Sequence, residues 1–586
     1  MSSDLHLPPA RPAYGPASTR LLLVMLTVGY AWLFPWSEQI NNPNEMVRVY
    51  MSRAIAETGS YAIGRREVGP DGQVRDRGLV YDQWGYVNDK ALTCDDPKAE
   101  RPNCNGLLYA GKAPGLSQIG AVPLWLQLRA WSLLGQGAPS KAAMVWWLRL
   151  WCAVLPSIAG LYWLARYLPR RLNQPQIGWA AVLAAAFGSL SLTYGQMFAG
   201  HQLSGLALLL GFAAVQRAGS TGNGGWLAVA GLGIAAAPWI EFPAGPAAIL
   251  LLGWTVARRH SLRDLGWLAL GAAAPVLLLA HFNWRSFGAP WKLPYGVLEN
   301  PDFVRDIAPG VFGLHLPNAE KMAGSLLSPF TGLYFWAPWV ALAWLGLVAV
   351  RRHRHELPGE AAAGQFWFSR RAEALVAWSV VAYFVFFQCS HSLWRGGWVL
   401  GPRYITALVP FAAIAVAHGL DALRGWPSRI GQGLLAISGA VAIAVTGAAT
   451  AVSQGFPFEV YNPLREVVGP LLSHGWVWSS PLYWLGVPIA VAAVPWFAVL
   501  LLAIIWHIWS LTAPAGSSGG RNRRAALTAG GMLLAAAWVA SLWAIPPQRN
   551  EASLAETNTF LTRTWWPSAP KGAQPLEPPA AAPAQK

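Results

Sequence analysis

The stretch Asn42-Pro43-Asn44-Glu45-Met46-Val47-Arg48, which runs on to Gly59-Ser60-Tyr61, follows the first apolar run of the chain. Asn42 is a good N-cap, Pro43 suits the first helical position, and Gly59 ends a helix well. Apolar side chains gather on one face of this helix, whereas Glu45 and Arg48 fall on the other. The pattern predicts a short helix in a membrane interface, with a carboxylate placed as a candidate catalytic base.

The composition around this stretch is that of a membrane protein. Of 586 residues, 54% are hydrophobic and 12% are charged, and 34 are Trp, which is too apolar for an ordinary soluble domain. We predict an all-α, polytopic fold with about 13 transmembrane helices, outer-face loops and juxtamembrane helices. The predicted spans are 20–36, 142–165, 176–197, 201–217, 225–240, 243–257, 264–282, 330–350, 374–390, 402–419, 430–452, 482–509 and 525–545.

The positive charge is distributed in a way that predicts membrane orientation. The formal net charge is +16, and most arginines lie in alternate loops. By the positive-inside rule, these loops and the N-terminus are cytoplasmic, and the C-terminus is outside. The segments 37–141, 283–329, 453–481 and 546–586 then face outward. The distribution argues against nucleic-acid binding. The predicted location is the plasma (inner) membrane, with several passes through the bilayer.

The chain divides into four predicted parts. Residues 1–19 form a cytoplasmic segment, and residues 20–420 form the main transmembrane module, which includes the outer loop 37–141. Residues 421–545 form a C-terminal transmembrane region. Residues 546–586, rich in Pro and Ala toward their end, are predicted to be a largely disordered outer tail. The first apolar run lacks a cleavage pattern of small residues and is predicted to be a retained span.

The four cysteines fall into two classes. Cys94 and Cys104 share the outer loop, where a disulfide fits an oxidising exterior. A zinc site is disfavoured because neither a nearby histidine nor a CxxC pair is present. Cys152 and Cys389 lie in apolar runs and are predicted to be inert packing residues.

Basic residues in the outer loops are candidates for binding an anion. Lys112 precedes the turn Pro114-Gly115 and would suit a phosphate, although a lysine at a membrane boundary also snorkels without binding anything. Arg395 and Arg403 lie on the outer side, against the positive-inside trend, and call for an anionic partner. The neighbouring Trp and Tyr side chains are typical of an interfacial belt.

The order of several motifs resembles that of a known family. The motifs are Asn42-Pro43-Asn44-Glu45…Arg48, Tyr109…Lys112-Ala113-Pro114-Gly115, His281…Gly288-Ala289-Pro290, Ser328-Pro329…Gly332-Leu333-Tyr334 and Gly401-Pro402-Arg403-Tyr404. Over about residues 15 to 420, this order resembles the bacterial integral-membrane glycosyltransferases of the GT-C superfamily, relatives of the protein mannosyltransferases and the lipid A aminoarabinose transferase. The resemblance implies a polyprenyl-monophosphate sugar donor and inverting transfer of a hexosyl or pentosyl group on the outer face. The acceptor would be an envelope glycan, lipid or protein.

One departure affects the catalytic base. Many relatives carry two acidic residues here, the first an aspartate that serves as the base, whereas this chain reads Asn44-Glu45. An asparagine side chain cannot accept the acceptor's proton. Glu45 is therefore the first candidate and Asp89 a possible second carboxylate, with a helix-capping role as the alternative for Glu45.

The remaining polar residues receive supporting roles. Lys112, Arg403, Arg395 and Arg48 are predicted to bind the donor phosphate. His201 and Glu241 are predicted to line the acceptor path, with solvation of helix ends as the alternative. No cofactor is required. A divalent cation is compatible with the carboxylates Glu45, Asp89, Asp95 and Asp96.

Three other functional classes compete with this hypothesis. A transporter or channel would also have many spans, but few charges lie inside these spans and no inverted repeat is evident. A ligase or polymerase that uses lipid diphosphate donors is the second class. A structural scaffold without chemistry is the third. The predicted partners under the leading hypothesis are a polyprenyl-phosphate-linked sugar, membrane lipids and an envelope acceptor.

Overall fold

The computed structural model describes residues 15–33, 42–96, 98, 104–258, 261–307, 310, 313–352, 369–512, 520–566 and 569–576. Several predicted segments lie partly outside this described part. The residues that it leaves out are 1–14, 34–41, 97, 99–103, 259–260, 308–309, 311–312, 353–368, 513–519, 567–568 and 577–586.

Long apolar helices dominate the fold, which confirms a polytopic helical membrane protein. Eight helical stretches in the described part are long and apolar enough to cross a bilayer: Lys141–Arg171, Gly200–Thr221, Leu262–Phe287, Arg370–Ser390, Arg403–Ala422, Gly425–Val452, Ile489–Leu511 and Arg524–Ala544. Shorter apolar helices are Ala17–Ala31, Pro175–Phe187, Gly225–Ile240 and Phe242–Ala257. The predicted span at 330–350 is instead divided into a short helix, Leu333–Trp336, a 3-10 helix, Pro338–Leu345, and the helix Gly346–Arg352. The break falls at Ala337 because the residue before Pro338 leaves the helical conformation.

The α-helices are numbered in chain order. They are α1 Pro16–Ala31, α2 Pro43–Thr58, α3 Leu79–Trp84, α4 Gly115–Leu133, α5 Lys141–Arg149, α6 Leu155–Tyr167, α7 Pro175–Phe187, α8 Leu190–Tyr194, α9 Gly200–Thr221, α10 Gly225–Ile240, α11 Gly245–Arg258, α12 Leu262–Phe287, α13 Pro301–Ile307, α14 Ala319–Leu327, α15 Leu333–Trp336, α16 Gly346–Arg352, α17 Arg370–Ser390, α18 Val409–Ala422, α19 Gly425–Val452, α20 Gly469–Ser473, α21 Pro481–Trp484, α22 Ile489–Ala492, α23 Val494–Leu511, α24 Gly520–Ala544 and α25 Glu551–Trp565.

A small antiparallel sheet in the first outer loop is an addition to the predicted all-helical fold. Its strands are β1 Gly64–Val68, β2 Val74–Arg77, β3 Lys90–Cys94 and β4 Gly106–Ala110, in the order β2-β1-β4-β3. A disulfide between Cys94 and Cys104 ties the end of β3 to the approach to β4. In the register of this hairpin, Lys90 at the start of β3 pairs with Ala110 at the end of β4. The residues just outside these strand ends, Asp89 and Gly111, therefore also lie opposite each other.

The helix α2 has the predicted caps but not the predicted surroundings. The side chain of Asn42 accepts a hydrogen bond from the Asn44 amide, and Gly59 ends the helix in the left-handed conformation at φ 68°. The expectation of a polar face turned to the membrane interface is wrong. Glu45 and Arg48 are both buried, because α4 and other parts of the chain cover that face.

The C-terminal tail is more ordered than predicted. Helix α25 follows Asn550, whose side chain caps it by accepting a hydrogen bond from the Ser553 amide. Beyond this helix, the Gln574 amide donates to the His474 carbonyl at 2.8 Å. The described part of the tail therefore packs against the segment between α19 and α21, which corrects the prediction of disorder there.

A buried carboxylate joins several helices at one end of the bundle. Glu373, in the first turn of α17, is fully buried. It accepts hydrogen bonds from Arg171 at 2.5 Å and from Gln216 at 2.9 Å, and it lies 3.2 Å from His418. Because burying a charge is costly unless it is paired, this network fixes α9, α17, α18 and the end of α6 together.

We expect Glu373→Gln to destabilise the protein by about 3–5 kcal/mol, because the change leaves the Arg171 guanidinium without its anionic partner in a buried site. Glu320→Gln is the matched control, since Glu320 is exposed on α14. Thermal unfolding in detergent measures both variants. Equal midpoints for Glu373→Gln and the wild-type protein would show that the network does not hold the helices.

Candidate active site

Asp89 and Lys112 form an ion pair at the end of the β3–β4 hairpin. Asp89 immediately precedes β3, and Gly111 follows β4 and donates its amide to the Asp89 carbonyl at 2.9 Å. A Cβ at position 111 would lie 2.9 Å from that carbonyl oxygen, so glycine is required for the close approach. The register then brings Asp89 Oδ2 to 3.2 Å from Lys112 Nζ.

Arg48 attaches this hairpin end to the helical bundle. Its guanidinium is fully buried, and its Nη1 donates to the carbonyls of Ala113 at 3.2 Å and Ile240 at 3.3 Å. The Nη2 atom pairs with the carboxylate of Glu241. Arg48 is therefore a connection between α2, the turn after Lys112 and the end of α10.

Asn44 supports Arg48 where an acidic residue was expected from the motif resemblance. The Oδ1 atom of Asn44 accepts a hydrogen bond from Arg48 Nε at 3.0 Å, and both residues are buried. The neutral amide thus provides the acceptor for Nε, while Glu241 provides the negative charge. The carboxylate missing at position 44 is supplied by the residue that follows α10.

Arg403 is buried at the start of the helix that leads into α18. Its guanidinium lies 5.0 Å from the ring centroid of Tyr404, and its Nη2 donates to the Tyr404 hydroxyl at 3.3 Å. Arg403 Nε is buried and has no hydrogen-bond partner among the described residues. A buried guanidinium donor without an acceptor is unusual in a folded protein and indicates a place for an anion.

Histidine and tyrosine rings surround Arg403. The ring of His201 lies 5.7 Å from that of Tyr194 and 5.8 Å from that of Tyr404, and its Nδ1 is 3.6 Å from Glu241. The ring of His391 lies 5.4 Å from that of Tyr404. His201 Nε2 is a second buried nitrogen without a partner in the described part of the chain.

Lys112 and Arg403 both lie close enough to His391 to affect its pKa. Burial, followed by the positive charges of Lys321, Lys112 and Arg403, lowers the pKa of His391 to about 4. Asp89 in turn lies within electrostatic range of Arg403. Residues 89–112 and 391–404 are far apart in sequence, yet their charged groups meet in one cluster, which we call the cationic site and define by Arg48, Asp89, Lys112, His201, Glu241, His391 and Arg403.

Glu45 lies in a different environment from the cationic site. Its Oε1 accepts hydrogen bonds from Arg149 Nε and from the Phe198 amide, both at 2.7 Å, and its Oε2 accepts from Arg149 Nη2 at 2.7 Å. Three of the roughly four lone-pair positions of this carboxylate are therefore occupied. The arrangement suits a carboxylate that fixes structure or orients a ligand.

Arg395 has partners different from those of Arg403. It is exposed and donates to the Phe458 carbonyl at 3.0 Å. Its guanidinium lies 5.8 Å from the centroid of the Phe330 ring. A phosphate-binding role for Arg395 stays a prediction.

Two site residues were not identified from the sequence. Arg149 is the partner of Glu45, and an arginine within an apolar run was a signal available in the predicted span 142–165. His391 had no local pattern to mark it. No group of three or more His, Cys, Asp or Glu side chains suited to a metal ion occurs among the described residues.

Comparison with known proteins finds distant structural likeness. No family model matches the chain, and no curated protein matches it. The structure of ArnT from Cupriavidus metallidurans bound to undecaprenyl phosphate is similar with a TM-score of 0.39 and 16% identity, over 93% of this chain and 83% of that one. The apo form of that ArnT gives a TM-score of 0.39 at 15% identity, over 88% of this chain and 76% of that one.

A third solved structure is similar at the same level. The arabinosyltransferase EmbB from Mycobacterium smegmatis gives a TM-score of 0.38 at 14% identity. The match covers 92% of this chain and 41% of EmbB.

The lowered pKa of His391 predicts a pH-dependent stability. An unfolded histidine has a pKa of about 6.5, so between that value and about 4 the unfolded chain binds a proton that the folded protein does not. Stability should therefore fall as the pH falls through this window. We expect His391→Gln to lose less thermal stability than the wild type between about pH 7 and about pH 5. Equal losses would contradict a buried neutral His391.

Proposed function

We propose that this protein is a membrane glycosyltransferase. It moves a sugar from a polyprenyl-monophosphate donor to an envelope glycan, lipid or protein acceptor on the outer face of the membrane. The observation that carries the proposal is the buried, unpartnered Nε of Arg403 in a site that also contains Lys112 and Asp89. The order of the sequence motifs gives independent support.

The positive charges of the cationic site suit a phosphate leaving group. Arg403 would donate Nε and one Nη to phosphate oxygens, and Lys112 would act as a point charge on the same group. Arg403 is buried and the Lys112 side chain is 22% exposed, so both donors are more sheltered than in water and stabilise developing negative charge more strongly there. Four acceptors engage four of the five N–H donors of Arg48, which would therefore position the site without contacting the phosphate.

Asp89 is the better placed carboxylate for the catalytic base. Among the described residues, its side chain has one ion-pair partner, Lys112, which leaves lone pairs for an acceptor hydroxyl. Glu45 accepts three hydrogen bonds, two from Arg149 and one from the Phe198 amide, which leave little of its carboxylate free for an acceptor hydroxyl. We therefore assign the base to Asp89 and a structural role to Glu45.

The proposed reaction is a direct displacement at the sugar carbon. The acceptor hydroxyl transfers its proton to Asp89 as its oxygen forms a bond to the anomeric carbon. The bond between that carbon and the phosphate oxygen breaks, and the polyprenyl phosphate leaves with both electrons of this bond. A single displacement inverts the configuration at the sugar carbon.

The length of α17 supports a location of the cationic site at the outer face of the membrane. The network of Glu373 with Arg171 lies at the start of α17, and His391 follows its end. Eighteen residues of helix span about 27 Å, close to the thickness of the hydrocarbon core. If the arginine-rich end is cytoplasmic, as the positive-inside rule predicts, the cationic site is at the outer face.

We expect Asp89→Asn to lower transfer from a radiolabelled undecaprenyl-phosphate sugar to membrane acceptors by about 10²–10⁴-fold, because the amide cannot accept the proton. Glu45→Gln should reduce the thermal stability while the folded fraction keeps most of its activity. Asp302→Asn, which changes an exposed carboxylate on α13, is the matched control.

Two results would contradict the assignment. Wild-type activity in Asp89→Asn, together with loss of activity in folded Glu45→Gln, would return the base to Glu45. No transfer by the wild type from any undecaprenyl-monophosphate sugar, together with transfer from diphosphate donors, would favour a ligase or polymerase.

A further inference from the structure

Helices α2 and α5 bring charged residues together at two places. At the first place, Glu45 of α2 pairs with Arg149 of α5. At the second, about two turns away on each helix, the charged residues are Arg53 of α2 and Lys141 of α5. Both lie near the ring of Trp84, whose centroid is 4.2 Å from the guanidinium carbon of Arg53 and 5.6 Å from Lys141 Nζ. The second place therefore holds two cations.

Arg53 is buried, yet one of its donor atoms has no acceptor. The residue is 3% exposed, its Nε donates to Glu57 at 2.7 Å, and its Nη2 donates to the side chain of Gln83. Its Nη1 is buried and has no hydrogen-bond partner among the described residues. The face of the Trp84 ring stabilises the positive charge, but it leaves the Nη1 hydrogens unsatisfied. A buried donor of this kind indicates a place for an acceptor that is not part of the chain.

Lys141 adds a second positive charge beside the same ring. Its Nζ lies 6.0 Å from the centroid of the Tyr50 ring, and its side chain forms neither an ion pair nor a hydrogen bond with another described residue. Lys141 is also the first residue of α5, directly after the cap Ser140, so the positive end of the helix dipole lies at the same place.

The balance of charge at this place favours an anion. Glu57 neutralises Arg53, to which it is bonded, whereas Lys141 has no described carboxylate as a partner. The nearby Asp82 is exposed, and its carboxylate accepts a hydrogen bond from the Gly78 amide at 3.2 Å. One positive charge is left over, so a ligand with a single negative charge matches the site.

The neighbouring helix α4 presents an apolar face. Gln127 of α4 donates to the carbonyl of Ala143 at 3.3 Å, which places this part of α4 beside the start of α5. Val122, Leu126 and Leu133 fall on one face of α4 and are 62%, 53% and 87% exposed. An exposed apolar helix face is typical of a helix in the membrane interface, where the headgroups of phospholipids lie.

We propose that Arg53 and Lys141 bind a phosphate group that carries one negative charge. The phosphodiester of an anionic phospholipid has two free oxygens, which would accept hydrogen bonds from Arg53 Nη1 and from Lys141 Nζ. The exposed face of α4 favours this lipid source, and free inorganic phosphate is the other source of the same chemistry. Neither cation belongs to the cationic site, so the proposal does not rest on the proposed function.

Native mass spectrometry of the purified full chain in detergent tests the proposal. The probes are dioleoylphosphatidylglycerol and dioleoylphosphatidylcholine, which have equal acyl chains but differ in net charge. We expect the wild type to prefer phosphatidylglycerol and Lys141→Gln, which has no ion pair to lose, to weaken its binding about 3- to 10-fold. Arg53→Gln should weaken it about 10- to 30-fold. Glu57→Gln should strengthen it about 2- to 5-fold, because a competing negative charge is removed.

Thermal unfolding with added inorganic phosphate, at constant ionic strength, separates the two sources. Stabilisation of the wild type but not of Lys141→Gln, without any preference for phosphatidylglycerol, would assign the site to free phosphate. Preference for phosphatidylglycerol that is lost in Lys141→Gln would assign it to a phospholipid headgroup. Both results support a phosphate site at Arg53 and Lys141.

Two control variants locate the bound lipid. Lys292→Gln removes an exposed lysine and should bind phosphatidylglycerol normally, as should Arg403→Ala, which changes the cationic site. Loss of binding in Arg403→Ala with normal binding in Lys141→Gln would place the lipid in the cationic site and overturn the proposal. Equal binding of the two lipids without stabilisation by phosphate, or wild-type binding in both Lys141→Gln and Arg53→Gln, would also overturn it.

Discussion

The buried guanidinium of Arg48 is the interaction on which the rest of the candidate site depends. Removing such a cation from water costs several kcal/mol unless its donors are satisfied, so its acceptors must all be in place together. Those acceptors come from α2 itself, from Ala113 and from Ile240 and Glu241 at the end of α10. Meeting this requirement fixes the position of Lys112, next to Ala113, and of His201, which lies against Glu241.

Two sites with different chemistry result from this arrangement. The cationic site has buried donors in excess of their acceptors and includes Arg403 Nε, which has no partner among the described residues. The environment of Glu45 has a matched ion pair with Arg149 and aromatic walls.

Local features of the sequence were predicted well, and distant pairings were not. The caps of α2 at Asn42 and Gly59 depend on neighbouring residues, so the sequence was sufficient to predict them. The partner of Glu45 lies 104 residues away, and nothing local indicates that Arg149 occupies the carboxylate. The β3–β4 hairpin was missed because its strands are short and their register depends on pairing. The order of α25 was missed because its contacts come from distant segments.

The most direct test is the binding of undecaprenyl phosphate to the purified protein, compared with undecaprenol, which lacks the phosphate. We predict that the wild type prefers the phosphorylated lipid and that Arg403→Ala weakens its binding roughly 10- to 100-fold. Arg403→Lys should retain only part of the binding, because an ammonium group cannot reproduce a two-point contact. Equal binding of the two lipids by the wild type, or unchanged binding in Arg403→Ala, would contradict a phosphate site at Arg403.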